Sequence, residues 1–110
     1  MSKDSYLPSP RILSWAEEDR PREKLLQKGK SALTDAELIA ILIGSGTVDQ
    51  SAVDVAKLIL GSANNNLNEL ARQGINDLKK IKGIGEAKAI TIVAALELGR
   101  RRKESEVPRR

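Results

Sequence analysis

Two glycines, Gly83 and Gly85, divide the stretch 78–98 into two helix-forming runs, and this arrangement constrains the fold more than any other feature. Glycine reaches backbone torsions that a side chain blocks, so the pair predicts a sharp reversal of the chain. Ile84 lies between the glycines, and we expect it to point inward and pin the turn to a core. Ala87 is small, which lets two helices approach closely. The stretch therefore predicts a helical hairpin with a tight turn.

Helix start and stop signals recur through the rest of the chain. Thr34 and Glu37 predict a capping box, since the Thr34 hydroxyl can accept from the Glu37 amide while the carboxylate reaches back to the Thr34 amide. Ser51 and Asp54 show the same spacing. The other expected caps are Asp19, Asn66 and Asn76, and the expected stops are Gly29, Gly61 and Gly74. These signals predict helices along most of the chain.

We expect an all-α fold, a small bundle of about five to six helices that contains a helix-hairpin-helix, because no segment alternates apolar and polar residues with the period of strands. The segment 38–43 is apolar nearly all round and is the expected central core helix. Similar glycine-interrupted patterns in 38–59 and 78–98 suggest a pseudo-duplicated pair of hairpins. Later expected helices are 67–73, 77–81 and 86–103.

The expected domain organisation is a flexible N-terminal arm, a helical body and a short tail. The arm covers 1–18, where prolines and serines show little periodicity. The body covers 19–103, and the tail 104–110 is expected to act as a linker to a further domain.

The absence of certain residue types limits the chemistry. The chain has no His and no Cys, which removes the commonest general base, the commonest metal ligand and every disulfide. We therefore expect no catalytic residue, no metal site and no cofactor, and a reducing, cytoplasmic setting. The longest apolar run, 38–43, is too short to span a membrane, so no membrane partner is expected.

Charge is distributed unevenly along the chain. Residues 1–78 contain 9 basic and 11 acidic side chains, whereas residues 79–110 contain 10 basic and 4 acidic ones. A basic unit attached to a slightly acidic body favours a polyanionic partner. A solubilising tail is the alternative, and charge by itself does not separate the two.

The hairpin turn carries the candidate binding residues. The first amides of a helix have no partner within it, so those of Gly83, Gly85 and Ala87 can face an anion together. Such a contact grips a phosphate without reading a base. The full expected set for contact with the DNA backbone is Lys79, Lys80, Lys82, Gly83, Ile84, Gly85, Ala87 and Lys88.

The complete pattern from Leu78 to Ala89 resembles the helix-hairpin-helix family of DNA-binding elements. The resemblance implies a non-catalytic, sequence-independent module that binds double- or single-stranded DNA. It also implies a monovalent cation held by the main-chain carbonyls of Lys79, Ile81 and Ile84. The alternative is a protein-interaction or regulatory domain in which the hairpin only packs helices.

Two further segments leave alternatives open. The run 100–103, Arg-Arg-Arg-Lys, is equally compatible with DNA contact and with a solvated helix end. The loop Gly44-Ser45-Gly46-Thr47 lacks flanking lysines, so packing is favoured there over a second backbone contact.

The order of segments resembles the N-terminal region of the RadC family, across about residues 15 to 102. The resemblance rests on the Asp-Arg-Pro-Arg-Glu-Lys-Leu block at 19–25, the Leu-Thr-Asp-Ala-Glu-Leu block at 33–38 and the hairpin turn at 82–85. It implies a bacterial origin and an association with DNA repair. Members of the family continue into a zinc-binding domain of the JAB/MPN type, which is similar to metallopeptidases. The resemblance implies that this domain is an intramolecular partner of the helical body. Its zinc ligands include histidines, which this chain lacks, so zinc is expected only in that missing domain.

Overall fold

The computed structural model describes residues 19–105, and within them the regular secondary structure is helical, with no strand. The helices are α1 Arg20–Lys28, α2 Asp35–Ile43, α3 Ala52–Gly61, α4 Leu67–Ala71, α5 Ile75–Lys79 and α6 Glu86–Ser105, with a short 3-10 turn at Lys30–Ala32. The expected all-α fold is confirmed for this part of the chain. The expected arm 1–18 lies outside the described residues, as do residues 106–110 of the expected tail.

Two capping boxes begin the two helices that form the first hairpin. At the start of α2, the Glu37 amide donates to the Thr34 hydroxyl at 3.1 Å and the Thr34 amide donates to the Glu37 carboxylate at 2.8 Å. At the start of α3, Ser51 and Asp54 exchange the equivalent bonds at 3.1 and 3.2 Å. Both boxes were expected, because each depends only on residues three positions apart.

Asp19 and Asn76 do not cap helices as expected. Asp19 precedes α1, but its carboxylate accepts from the Arg22 guanidinium at 3.0 Å and from no backbone amide. Asn76 lies inside α5, because the Asp77 carboxylate accepts the Gly74 amide at 3.0 Å and the helix begins at Ile75, two residues before the expected start. The Asp77 carboxylate, at the third position of the helix, therefore caps the start of α5 in place of the Asn76 side chain.

The ends of three helices also differ from expectation. α4 ends at Ala71 and α5 at Lys79, two residues before the expected ends of each. α6 continues to Ser105, so residues 104 and 105 of the expected tail are helical. Arg100 accounts for part of this extension, since it pairs with Glu97 and Glu104 on either side of it.

The core is built mainly on α2 and α3, which supply four and five of its buried residues, while α6 supplies two. The largest side chains with almost no exposure are Val55, Ile59, Leu70, Leu78 and Ile92. α2 packs against α1, α3 and α6, but Leu38 and Leu42 remain 39% and 37% exposed, so the segment 38–43 is buried on one face only. The expected central core helix thus supplies four buried residues to the core, although its apolar side chains at Leu38 and Leu42 are not enclosed. Its neighbours cover the Ile39, Ala40 and Ile43 face alone.

Two helical hairpins result from this packing. The first joins α2 to α3 through residues 44–51, and the second joins α5 to α6 through residues 80–85. α2 packs on α6, so the hairpins share one core. A pseudo-two-fold relation between them stays a prediction.

Candidate nucleic-acid interface

The turn between α5 and α6 is held by one glycine and one buried isoleucine. Gly83 has a φ of +96°, a conformation that side chains disfavour, and it reverses the chain. Ile84 is 5% exposed and packs into the core, and its amide donates to the Ile81 carbonyl at 3.0 Å. Gly85 shows no positive φ, and a Cβ placed on it would meet nothing within 4 Å. The expectation that both glycines relieve backbone strain therefore holds for Gly83 and is wrong for Gly85.

The first turn of α6 presents unpaired backbone amides. The Ala89 amide donates to the Gly85 carbonyl at 3.0 Å, which starts the hydrogen-bond ladder of the helix. The amides of Gly83, Gly85 and Ala87 meet no acceptor within the range 19–105. Gly85 and Ala87 are exposed. These amides combine with the positive end of the helix dipole, so the turn has the donors that an anion requires.

Three lysines lie next to these amides in the sequence. Lys79, Lys80 and Lys82 are exposed, and none of them forms an ion pair in the described part of the chain. Glu86, at the start of α6, is also exposed and opposes an incoming anion. Residues 79–87 therefore carry three cations and one carboxylate.

Lys88, expected as a phosphate contact, is engaged by a different part of the protein. Its ammonium donates to the Ser45 carbonyl oxygen at 2.8 Å and lies 3.3 Å from the Ser45 hydroxyl. The lysine therefore connects α6 to the loop between α2 and α3. A phosphate would compete with Ser45 for this cation, so the expected contact stays a prediction.

Residues 44–50, which we call the glycine loop, pack directly against the hairpin turn. A Cβ placed on Gly83 would lie 2.7 Å from the Thr47 γ-methyl carbon, so the two turns meet with no room for a side chain. A Cβ on Gly46 would collide with the Gln50 carbonyl oxygen. The expected packing role of 44–47 is thus observed. Its partner, the hairpin turn itself, was not foreseen, and no local sequence signal points to it.

Two arginines of the basic run at the end of α6, Arg100 and Arg101, form ion pairs within the helix. Arg100 pairs with Glu97 at 2.9 Å and with Glu104 at 2.8 Å, and Arg101 pairs with Glu97 at 3.0 Å. Hydrogen bonds from Arg100, and then from Arg101, lower the pKa of Glu97 to about 2. Arg100 lies fourteen positions after Glu86 on the helix, about 21 Å away at a rise of 1.5 Å per residue. These arginines therefore form a surface separate from the hairpin turn.

The three carbonyls that the family resemblance assigns to a monovalent cation differ in their surroundings. The Ile81 carbonyl accepts the Ile84 amide, which leaves one lone pair. The carbonyls of Lys79 and Ile84 accept no hydrogen bond from residues 19–105. Cation binding is compatible with this pattern and stays a prediction.

The described range contains no group of three or more His, Cys, Asp or Glu side chains placed to hold a metal ion. Within the same residues, no helix is both long and apolar enough to cross a membrane.

The helices and the turn define an all-helical protein built around a glycine-turn hairpin. The chain belongs to the UPF0758 family, the RadC-like family that the sequence resembles, and residues 12–90 match the family model described as UPF0758 N-terminal.

Similar curated proteins include bacterial UPF0758 proteins. One from Flavobacterium johnsoniae is 58% identical over 96 residues, which cover 87% of this chain and 42% of that protein. One from Porphyromonas gingivalis is 50% identical over 95 residues, which cover 86% of this chain and 42% of that protein. One from Staphylococcus aureus is 52% identical over 83 residues, covering 76% and 36%. The chain thus spans about two fifths of these relatives' length. No solved structure matches it.

Proposed function

We propose that this chain is a non-catalytic module that binds DNA through the phosphate backbone, without reading sequence. One observation carries the proposal: the unpaired amides of Gly83, Gly85 and Ala87 lie at the start of α6 beside three exposed lysines without ion pairs. Unpaired amides at a helix N-terminus are suited to a phosphate, and adjacent cations raise its local concentration.

In this proposal the backbone amides hold one phosphate and the lysines act over a longer range. Main-chain donors approach a phosphate equally well beside any base, so the contact positions the protein and carries no sequence information. Lys79, Lys80 and Lys82 release counterions from the DNA when they bind. Glu86 opposes the phosphate and keeps the affinity moderate.

The proposal also places the chain within a longer protein. The relatives extend well beyond the matched region, so we propose that the module tethers the remainder of such a protein to DNA in the bacterial cytoplasm. The association with DNA repair is part of this proposal.

The test is a fluorescence-anisotropy titration of labelled duplex and single-stranded DNA at two salt concentrations. Binding should weaken steeply with salt, and each lost lysine contact should lower the slope of log affinity against log salt by about 0.9 on duplex DNA. Lys82→Ala should show this loss. Lys28→Ala, which removes the same charge from the end of α1, is the matched control. Absence of binding at low salt would rule the proposal out.

A protein-interaction module is the second candidate. Ile90 and Leu98 are 48% and 68% exposed and are separated by about two turns of α6, which places them on one side of the helix. An apolar partner would cover such a stripe. If DNA binding is absent while Leu98→Ser disrupts association with the rest of a full-length relative, this second function is correct.

A further inference from the structure

Val48 projects from the glycine loop as an apolar side chain with no packing partner. Its exposure is 103% of the reference value, the highest among the large apolar residues of the described range. Loop tips usually carry polar residues, because an exposed apolar side chain stabilises nothing in the isolated protein. Single exposed apolar residues are common, so exposure alone does not indicate a binding role for Val48. Its position beside the hairpin turn is the second observation.

The backbone on both sides of Val48 is held by local hydrogen bonds. The Thr47 hydroxyl accepts from the amides of Asp49 at 3.2 Å and Gln50 at 3.0 Å, and the Thr47 amide donates to the Gln50 carbonyl at 2.8 Å. Gly46 fits closely against Gln50 and Ser51. The loop therefore holds Val48 in a defined place.

That place adjoins the proposed phosphate contact. Thr47, the preceding residue, lies against Gly83, and Lys88 fastens Ser45 to the first turns of α6. One residue spans about 3.8 Å, so Val48 lies within roughly 10 Å of the hairpin turn. A DNA strand gripped at that turn would bring its neighbouring nucleotide close to the valine.

We propose that Val48 contacts a base step next to the gripped phosphate and gives the module a preference for DNA in which that step is already unstacked, as at a mismatch. The inference rests on the proposed DNA binding. Apolar side chains that insert from a minor groove must separate stacked bases, and the cost is least where a mismatch has weakened the stack. Backbone amides cannot provide this discrimination, because phosphates are present in both kinds of DNA.

The charge beside Val48 opposes a phosphate contact at the tip of the loop. Asp49 follows Val48 and is exposed, and its carboxylate would repel a phosphate. Any DNA contact at the tip therefore has to come from the apolar side chain of Val48.

The test compares a duplex with the same duplex carrying one central mismatch, by anisotropy at one salt concentration. Wild-type protein should bind the mismatched duplex several-fold more tightly, and 2-aminopurine beside the mismatch should gain fluorescence as it is unstacked. Val48→Ser should keep the affinity for intact duplex and lose both effects. Leu98→Ser, which makes another exposed apolar side chain polar on distant α6, is the matched control and should keep both.

The outcomes separate this inference from the proposed function. Equal affinity of the wild-type protein for both duplexes overturns the role of Val48 and leaves backbone binding in place. A Val48→Ser protein that keeps the preference and the fluorescence gain also overturns it. If neither duplex binds at low salt, both proposals are wrong. If the serine variant fails to fold, the same two measurements are made on Val48→Thr, which retains the β-branched shape but is polar. Loss of the mismatch preference and of the fluorescence gain supports the inference, and retention of both overturns it.

Discussion

The ammonium of Lys88 donates to the carbonyl oxygen of Ser45 at 2.8 Å, across 43 positions of the sequence. This bond joins the start of α6 to the glycine loop and lies next to the contact between Thr47 and Gly83. The glycine loop and the hairpin turn therefore form one surface. Lys88, which the sequence predicted to contact phosphate, connects the two.

Replacing Lys88 should affect the protein differently from replacing Lys82. Lys88→Ala removes the bond to Ser45, so thermal unfolding should show a loss of about 0.5–1 kcal/mol, small because the contact is exposed. The salt dependence of DNA binding should stay unchanged, whereas Lys82→Ala should reduce its slope by about 0.9. Equal reductions in the two variants would show that Lys88 leaves Ser45 to bind phosphate.

The two glycines of the hairpin turn should differ in their tolerance of alanine. Gly83→Ala places a side chain at positive φ and 2.7 Å from the Thr47 methyl carbon, so we expect a loss of about 1–3 kcal/mol in chemical denaturation. A Cβ at position 85 meets nothing within 4 Å, and the φ there is not positive. The free energy of unfolding of Gly85→Ala should therefore lie within about 0.5 kcal/mol of the wild-type value. A large loss in the Gly85 variant would contradict the geometry of the turn.

Ile84 should couple the turn to the core. Ile84→Ala removes a side chain that is 5% exposed, so a loss of about 2–4 kcal/mol is expected in urea denaturation. Ile90→Ala is a suitable comparison, because its side chain is 48% exposed on α6 and should cost under about 1 kcal/mol. Similar losses in the two variants would mean that Ile84 does not anchor the turn.

Glu37 should contribute to stability in a pH-dependent way. The hydrogen bond from the Thr34 amide, followed by that from Lys24, lowers the pKa of Glu37 below 4.5. Since the folded pKa is depressed, the contribution is fully present above the unfolded value of 4.5 and is lost as pH falls through the folded pKa.

The free energy of unfolding, measured from pH 7 down to pH 3, should therefore differ between wild type and Glu37→Gln at neutral pH and converge in acid. Glu23→Gln, an exposed substitution on α1, is the control. A constant difference across the range would exclude Glu37 as the titrating group.

Local sequence was sufficient for several features of the fold. The boxes at Thr34 and Ser51 and the inward position of Ile84 were predicted, because each depends on residues a few positions apart. The start of α5 was predicted wrongly, because two neighbouring residues can each cap it. Asp77 displaced Asn76 as the start signal of α5, since both can serve the same helix end.

The sequence by itself determined that this protein is helical, where most of its helices begin, and that a glycine reverses the chain before a basic final helix. Only the tertiary structure decided that Thr47 packs on Gly83, that Lys88 bonds to Ser45, and that Val48 lies exposed beside the hairpin turn. The physical reason is separation along the chain. Capping and turn formation are settled by neighbouring residues, whereas contacts between distant loops depend on how α2, α3 and α6 pack around their shared core.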